Sequence, residues 1–267
     1  MKERQPGDWW GTYRVPAGRM VRWRIGPLNL WMQRLAGEWR LAHTCSDDPN
    51  DSGLEIEVPD EETDITAIDS FARFVFGSDD EEIHFVPLLA DRPVVTNSEK
   101  PLHIPPGEEV KVYVASPLWI RITVGRARKK LVEIPLFRPS DTWFGPSTLE
   151  GELCYATRTF HRLQLEQLPA RPHRALTTVL VKNRADSLLS LEKMQVPVMH
   201  LGLYRAESGR VWTEDVIFTR EGPDDFAALR TRAIHESKWK KKATLVAGPR
   251  LKADDNIMVR AFGSIFG

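Results

Sequence analysis

Apolar and polar residues alternate with a period of two along most of this sequence, and this pattern constrains the fold more than any other feature. In Met20–Ile25, residues 21, 23 and 25 are apolar, whereas residues 22 and 24 are arginines. Successive side chains of a β-strand point to opposite faces, so such a segment has one face suited to a core and one suited to water. The alternation therefore predicts half-buried β-strands.

Similar runs follow along the chain, separated by short turn-forming segments. The Gly-containing link Ala36–Glu38 joins Leu28–Leu35 to Trp39–His43 and predicts a β-hairpin. Pro105–Gly107 and Ala206–Arg210 supply residues that tight turns require. So many short strands with regular turns favour an all-β sandwich over a parallel α/β sheet. The further predicted strands are Ile83–Pro87, Pro93–Thr96, Val110–Val114, Leu118–Val124, Leu131–Pro135, Gly151–Thr159, Ala175–Lys182, Leu188–Glu192, Met199–Tyr204 and Val211–Thr219.

Chain length and a break in the strand rhythm predict two consecutive β-sandwich domains. A chain of 267 residues that is 42% hydrophobic exceeds the usual size of a single domain. The first sandwich is predicted at residues 1–130, with an acidic insertion at 47–82, and it ends at the basic segment Arg126–Lys130. The second is predicted at 131–222, and residues 223–267 form a C-terminal extension.

The C-terminal extension is predicted to contain one helix and a short terminal strand pair. Pro223–Lys242 begins with acids and ends with bases, which complements a helix dipole, and Phe226 and Leu229 fall near one face. Thr244–Ala247 and Ile257–Phe262 have strand character. They either pair with each other or cap an exposed sheet edge.

The lack of a long apolar segment and the spacing of the cysteines indicate a cytoplasmic protein. The sequence has no run of about 18 apolar residues, and its polar start lacks the apolar core of a signal peptide. Cys45 and Cys154 are far apart and match no metal-binding or Cys-x-x-Cys spacing. Both are predicted to be buried, reduced thiols, and Cys154 is predicted to pack inside a strand rather than act as a nucleophile.

The stretch Ser140–Thr159 contains the candidate binding site. Asp141, Thr142 and Trp143 combine a carboxylate, a hydroxyl and an aromatic ring near the predicted domain junction, where binding clefts often form. The alternative is structural, because bulky aromatic rings such as Trp143 and Phe144 also plug the gap between two sheets.

Several short pieces of the sequence resemble a family of prokaryotic proteins catalogued as a domain of unknown function. The resemblance extends to about residue 220, and it implies no reaction, cofactor or site. The pieces that carry it are Gly26-Pro-Leu-Asn-Leu-Trp31, Pro117-Leu-Trp-Ile-Arg121, Thr142-Trp-Phe-Gly145, Gly151-Glu-Leu-Cys-Tyr155 and Val211-Trp-Thr213.

The common enzyme signatures are absent from the sequence. It contains no Gly-x-Gly-x-x-Gly, no phosphate-binding loop, no Gly-x-Ser-x-Gly and no His-Glu-x-x-His, and its histidines never occur at i, i+2 or i, i+4. We therefore predict no catalytic residue and no cofactor. The alternative is a hydrolase-type enzyme with carboxylates and a histidine in the interdomain cleft, drawn from Asp141, Glu152, Glu214, Asp215, His161 and His200.

The charges are balanced overall but segregated along the chain. Residues 47–82 hold fourteen carboxylates and one base, whereas the remainder has 36 bases and 23 acids. The acidic segment is interpreted as a solvated connection. Two alternatives stay open: a calcium site at Asp47, Asp48 and Asp51, and contact with a basic surface of a partner or a second copy.

A basic cluster near the C-terminus is the candidate anion-binding site. Lysines around a tryptophan can hold phosphates or lie at an anionic membrane surface, and the alternative is a solubilising helix end. The net charge of zero argues against a protein dedicated to coating nucleic acid. The cluster comprises Lys238, Trp239, Lys240, Lys241 and Lys242.

Taken together, these patterns predict a non-catalytic interaction or ligand-binding protein. Absent enzyme signatures, abundant strands and segregated charge support this prediction. A protein partner or self-association is expected, and nucleic acid or an anionic surface is the alternative partner of the basic cluster.

Overall fold

The computed structural model describes eight stretches of the chain, and these are all-β. They are residues 8–58, 64–76, 80–147, 149–157, 159–224, 226–232, 243–252 and 257–263. Within them, the helical segments are the 3-10 turns Ile65–Ala67, Leu165–Gln167 and Val198–His200. Among these residues no helix has both the length and the apolar character needed to cross a bilayer.

Strands follow one another closely along the chain, and most of the predicted runs correspond to one of them. Two predicted strands are divided in the structure. Met199–Tyr204 spans part of a 3-10 turn and β16, and Val211–Thr219 spans β17 and β18. In chain order the strands are β1 (Gly11–Arg14), β2 (Met20–Ile25), β3 (Leu28–Leu35), β4 (Glu38–Cys45), β5 (Leu54–Glu57), β6 (Ala72–Val75), β7 (Glu82–Leu88), β8 (Val94–Ile104), β9 (Glu109–Pro117), β10 (Trp119–Val124), β11 (Lys129–Pro135), β12 (Ser140–Phe144), β13 (Glu152–Ala156), β14 (Arg174–Asn183), β15 (Leu189–Val196), β16 (Leu203–Arg205), β17 (Val211–Trp212), β18 (Asp215–Arg220), β19 (Phe226–Arg232), β20 (Thr244–Ala247), β21 (Ile257–Arg260) and β22 (Phe262–Gly263).

The chain divides into two compact units, each built from non-consecutive segments. Unit 1 comprises Met1–Leu88, Leu118–Phe137 and Arg171–His173, and unit 2 comprises Leu89–Pro117, Arg138–Ala170 and Arg174–Gly267. This division differs from the predicted ranges 1–130, 131–222 and 223–267. A boundary at residue 130 falls inside β11, which pairs with β10 in an antiparallel hairpin of unit 1.

Unit 1 contains two sheets whose strands are all antiparallel. Their strand orders are β1-β7-β10-β11 and β5-β2-β3-β4-β6. Aromatic rings join them: the Trp23 ring of β2 lies 5.0 Å from the Phe85 ring of β7 and 5.4 Å from the Tyr13 ring of β1. Trp23 and Phe85 are buried, so the face that the alternation assigned to the core does carry the core packing.

The acidic segment 47–82 contributes strands to unit 1 and is therefore more than a connection. β5 pairs with β2, and β6 pairs with β4. Asp51 forms an ion pair with Arg24 at 3.0 Å, and Glu57 forms one with Arg22 at 2.5 Å. Part of the acidic charge thus neutralises the arginine face of β2 within the same unit. Residues 59–63 and 77–79 lie outside the described part.

Unit 2 contains a five-stranded and an eight-stranded sheet. The first has the order β12-β13-β8-β15-β22, and the second has the order β20-β16-β17-β14-β18-β19-β21 with β9 also paired to β14. β14 runs parallel to β17 and β18, and β13 runs parallel to β8. The Phe218 ring of β18 lies 6.0 Å from the Phe262 ring of β22, so the two sheets contact each other.

The helix predicted at the start of the C-terminal extension is wrong where the structure describes it. Phe226–Arg232 forms β19, which pairs with β18 and β21. Ala227 and Leu229 are buried between half-buried neighbours, which is a period of two. Pairing with the edge of β18 satisfies the backbone and outweighs the charge pattern that favoured a helix. Residues 233–242 lie outside the described residues, and so does the predicted anion-binding cluster Lys238, Trp239, Lys240, Lys241 and Lys242.

The two predicted terminal strands form, but they do not pair with each other. β20 pairs with β16, and β21 pairs with β19. These strands stand at the two ends of the order of the eight-stranded sheet. They therefore take the second predicted role, which is to cover sheet edges.

Candidate functional site

A cavity of about 410 Å³ lies in unit 2, along the five-stranded sheet. Its floor consists of Thr142 of β12, Ala156 of β13, Val95 and Asn97 of β8, and Lys193 of β15. Ala156 lies opposite Val95, and Asn97 lies opposite Lys193, so the register places these side chains on one face. The volume falls within the range of roughly 300–1,000 Å³ that is usual for small-molecule sites.

Three aromatic residues are among those that line the cavity. Phe144 and Phe262 are buried, whereas Trp143 is 47% exposed. The Trp143 indole N–H donates a hydrogen bond to the Ser147 backbone oxygen at 2.7 Å, which holds the ring in place. Alternation along β12 places the Phe144 side chain on the face of Thr142, whereas Phe262 lies opposite Met194 and its ring contacts Phe218 of the other sheet. An apolar ligand surface could therefore pack against the Phe144 ring.

The rim beyond Phe144 depends on a glycine. A Cβ atom on Gly145 would lie 2.0 Å from the Glu150 backbone oxygen, so no side chain fits there. This close approach lets the chain turn back from β12 toward β13 and places Gly145 and Pro146 along the cavity. The Gly-Pro dipeptide is the local signal of this turn.

The charged residues that line the described cavity are both cations. Lys193 is half-buried, and within the described residues no carboxylate lies at ion-pairing distance from its ammonium group. The Arg260 guanidinium packs over the Phe226 ring, 4.6 Å from its centroid. On the same face of the sheet, the Glu152 carboxylate accepts a hydrogen bond from Gln195 Nε2 at 2.5 Å. The lining thus has a positive charge.

Two of the three predicted cleft residues line this cavity. Thr142 and Trp143 do so, whereas Asp141 lies opposite Tyr155 and pairs with Arg92 at 3.2 Å and with Arg138 at 3.6 Å. The cavity belongs to unit 2 alone, while the prediction placed a cleft at a domain junction. The alternative role of an aromatic plug fits the buried Phe144 but not the exposed Trp143. That Asp141, Thr142 and Trp143 bind a ligand stays a prediction.

Several lining residues were not predicted from the sequence, among them four that carry polar groups or rings, and the position of Lys193 has a recognisable sequence pattern. In β15 the buried positions change phase, from Leu189 and Leu191 to Met194 and Val196, and the pairing with β8 shifts register at this point. Between these pairs residues 98–101 of β8 lie opposite the single residue Glu192 of β15. Such an irregularity changes which face the following side chains occupy. The spacing Leu-x-Leu-x-x-Met-x-Val therefore marks this position. The four residues are Asn97, Lys193, Arg260 and Phe262.

The candidate calcium ligands are not gathered around a common point. In the part of the chain that the structure describes, no three His, Cys, Asp or Glu side chains form a group that could hold a metal. Asp51 instead accepts hydrogen bonds from Arg24 and from the Gly53 backbone N–H. Asp48 accepts one from the Asn50 backbone N–H. Asp47, Asp48 and Asp51 thus belong to a turn that is fixed by hydrogen bonds of its own.

The carboxylates and histidines of the hydrolase alternative do not come together. The Glu214 carboxylate accepts hydrogen bonds from the Gly202 N–H and the Tyr204 hydroxyl, each at 2.7 Å. His161 is buried, and neither ring nitrogen has a protein partner in the described residues. Burial, and to a lesser degree Arg162, lowers the pKa of His161 to about 4. No hydrogen bond between described residues joins any two of Asp141, Glu152, Glu214, Asp215, His161 and His200.

The two cysteines are expected to differ sharply in reactivity. Cys154 is buried as predicted, and burial raises the pKa of its thiol to about 12, whereas Cys45 is exposed, contrary to the prediction. Because the thiolate is the nucleophile, iodoacetamide at pH 8 should alkylate Cys45 in the native protein and Cys154 only after unfolding, as measured by peptide mass spectrometry. The Cys45→Ser variant is the control. Rapid alkylation of this variant under native conditions would contradict the burial of Cys154.

Similarity to known proteins identifies a family and no activity. No curated protein and no solved structure matches the chain. The family described as "Protein of unknown function (DUF432)" matches residues 9–266, which confirms the resemblance seen in the sequence and extends it to the C-terminal region. This match covers nearly the whole chain, and the protein therefore belongs to that family.

Proposed function

We propose that the protein is a non-catalytic ligand-binding protein and that it binds a small molecule in the cavity of unit 2. The observation that carries this proposal is the combination of apolar lining residues, among them Phe144 and Val95, with half-buried polar residues on a floor of paired strands. Small-molecule sites usually combine mostly apolar walls with a few polar groups that fix the orientation of the ligand. Strand-borne side chains are held more firmly than those on loops.

The proposal includes an architecture of two β-sandwich units and a cytoplasmic location. Aromatic contacts between the sheets of each unit support the sandwich arrangement: Trp23 with Phe85 in unit 1 and Phe218 with Phe262 in unit 2. In this view unit 2 carries the ligand site.

A thermal-shift screen with a library of metabolites tests the proposed function. A ligand at about 100 times its dissociation constant stabilises the folded state by about 2.7 kcal/mol, which raises the Tm by several degrees. We expect hits with the wild-type protein and at least about tenfold weaker binding by Ala156→Leu, because a larger side chain on the floor fills the cavity.

Matched variants distinguish occupation of this cavity from other effects. Ser190→Leu places the same side chain on the exposed face of β15 outside the cavity lining, and it should bind the hits as the wild type does. Thr142→Phe fills the cavity from another strand. It provides an independent test if Ala156→Leu does not fold. The proposal fails if no compound raises the Tm, or if every hit binds both filled variants with undiminished affinity.

A further inference from the structure

We infer that the ligand of this cavity is a small organic anion, with its charged group held by Lys193, Asn97 and Arg260 and its apolar body packed against Phe144 and Val95. This inference rests on the proposed function and specifies the class of ligand. The apolar walls alone would accept many ligands. The polar side of the cavity is more selective.

The charge of Lys193 favours an anionic ligand. This residue is half-buried and lines the cavity, and among the described residues its ammonium group has neither an ion pair nor a hydrogen bond. A charged group that is partly removed from water loses hydration, and an anionic partner compensates for this loss. The pairing of β15 with β8 shifts register just before this lysine, which lies on the face of the sheet that carries Asn97 and the cavity. An anionic ligand would supply the counter-charge that the described residues do not.

Asn97 and Arg260 extend the same polar side. Asn97 lies directly opposite Lys193 in the antiparallel pair of β8 and β15. Directly opposed residues have Cβ atoms about 5 Å apart, so the Asn97 amide N–H group and the Lys193 ammonium group can reach one anion. Arg260 stacks on Phe226 through the face of its guanidinium, and its donors lie in the plane of that group. It adds a second positive charge at the cavity.

The charge of the lining selects among ligand classes. The described lining contains no Asp or Glu, so a cationic ligand would meet the like charge of Lys193, whose ammonium group has no counter-charge among the described residues. A neutral ligand would bury the Lys193 ammonium further and leave it unpaired, which is unfavourable. A cavity of about 410 Å³ fits a molecule of one or two rings better than a polymer. Carboxylates and phosphate monoesters share the required anionic oxygens.

Matched naphthalene probes test this inference. The probes are 2-naphthoate, its neutral analogue 2-naphthamide, and 2-naphthyl phosphate, with binding measured by calorimetry and by the shift in Tm. We expect the wild type to bind at least one anion about tenfold more tightly than the amide, because hydrogen bonds to charged groups are the stronger ones. Whichever anion binds more tightly identifies the head group.

Two lysine variants test whether Lys193 causes the preference for the anion over the amide. Lys193→Met should lose the preference for the anion over the amide while keeping the Tm of the free protein, since the replaced ammonium group has no protein partner among the described residues. Lys111→Met removes an exposed lysine of β9 outside the lining, and it should bind as the wild type does.

The binding results distinguish a failure of the anion preference from a failure of ligand binding itself. Equal affinity for the amide and both anions, with hits that still depend on Ala156 and Thr142, overturns the inference and leaves the proposed function standing. A preference for anions that survives in Lys193→Met also overturns it. If neither the probes nor the screened library bind, both proposals fail.

Discussion

Replacing Arg220 with methionine is expected to lower the free energy of unfolding by about 3 kcal/mol or more. The Arg220 side chain is 5% exposed and ends in a cage of oxygen atoms. Its Nη1 donates to Asn183 Oδ1 and the Ser187 backbone oxygen at 3.2 Å, its Nη2 to the Pro223 oxygen at 2.8 Å, and its Nε to the Asp224 oxygen at 3.1 Å. One guanidinium thus satisfies several acceptors.

The loss follows from the acceptors that methionine leaves behind. A buried acceptor without a donor costs about 1–3 kcal/mol, and Asn183 is fully buried. The backbone oxygens of Ser187, Pro223 and Asp224 are in part-buried hydrogen bonds, in the connection after β14 and the turn after β18. Asn183 also donates to the Ile104 and Ser187 backbone oxygens, at 2.9 and 2.8 Å, so the cage extends to the end of β8. Removal of Arg220 therefore loosens three connections of unit 2 at once.

Urea unfolding of the wild type and two variants measures this effect. The matched control is Arg14→Met, because the Arg14 side chain is 74% exposed and its ion pair with Glu82 spans 3.6 Å. Such surface pairs contribute about 1 kcal/mol or less. A loss for Arg220→Met no larger than that of the control would contradict a structural role for the buried guanidinium.

The strands were predictable because their signal is local. β2 and β10 show a two-residue period that any reader of the sequence can follow, and the buried Trp23 and Ile122 lie on the expected faces. The choice of partner strand is not local. β14 contacts β9 on one side and the parallel β17 and β18 on the other, and nothing within Arg174–Asn183 specifies these neighbours. The discontinuous units follow from such pairings, which is why consecutive domain ranges did not anticipate them.

The part of the candidate site that lies within one segment of the chain could be predicted from the sequence. Thr142 and Trp143 were singled out because they occur together in an unusual stretch of sequence. Asn97 and Lys193 are 96 positions apart in number, and only the register of β8 with β15 makes them neighbours. Period-two patterns report which face a residue occupies but not which strand lies beside it. The helix was mispredicted for the same reason, since the pairing of β19 with β18 is a tertiary property.

The stability of the protein is expected to fall by about 2 kcal/mol between pH 8 and pH 5 through His161 alone. Burial lowers the pKa of this residue to about 4, whereas the unfolded chain binds the proton near pH 6.5. Protonation therefore favours the unfolded state. The contribution of His161 is complete above pH 6.5 and is lost as the pH decreases toward 4.

Substitution by leucine isolates this contribution. Because neither ring nitrogen of His161 has a protein partner among the described residues, His161→Leu removes no hydrogen bond between them and should lie within about 1.5 kcal/mol of the wild type at pH 8. At pH 5 the variant should have gained about 2 kcal/mol relative to the wild type, measured by urea unfolding at both pH values. His103→Leu, at an exposed position of β8, should keep the wild-type pH dependence. The other titrating groups, including His84, whose pKa burial also lowers, act equally in all three proteins. An unchanged pH dependence in His161→Leu would therefore show that His161 is not held neutral in the core of unit 2.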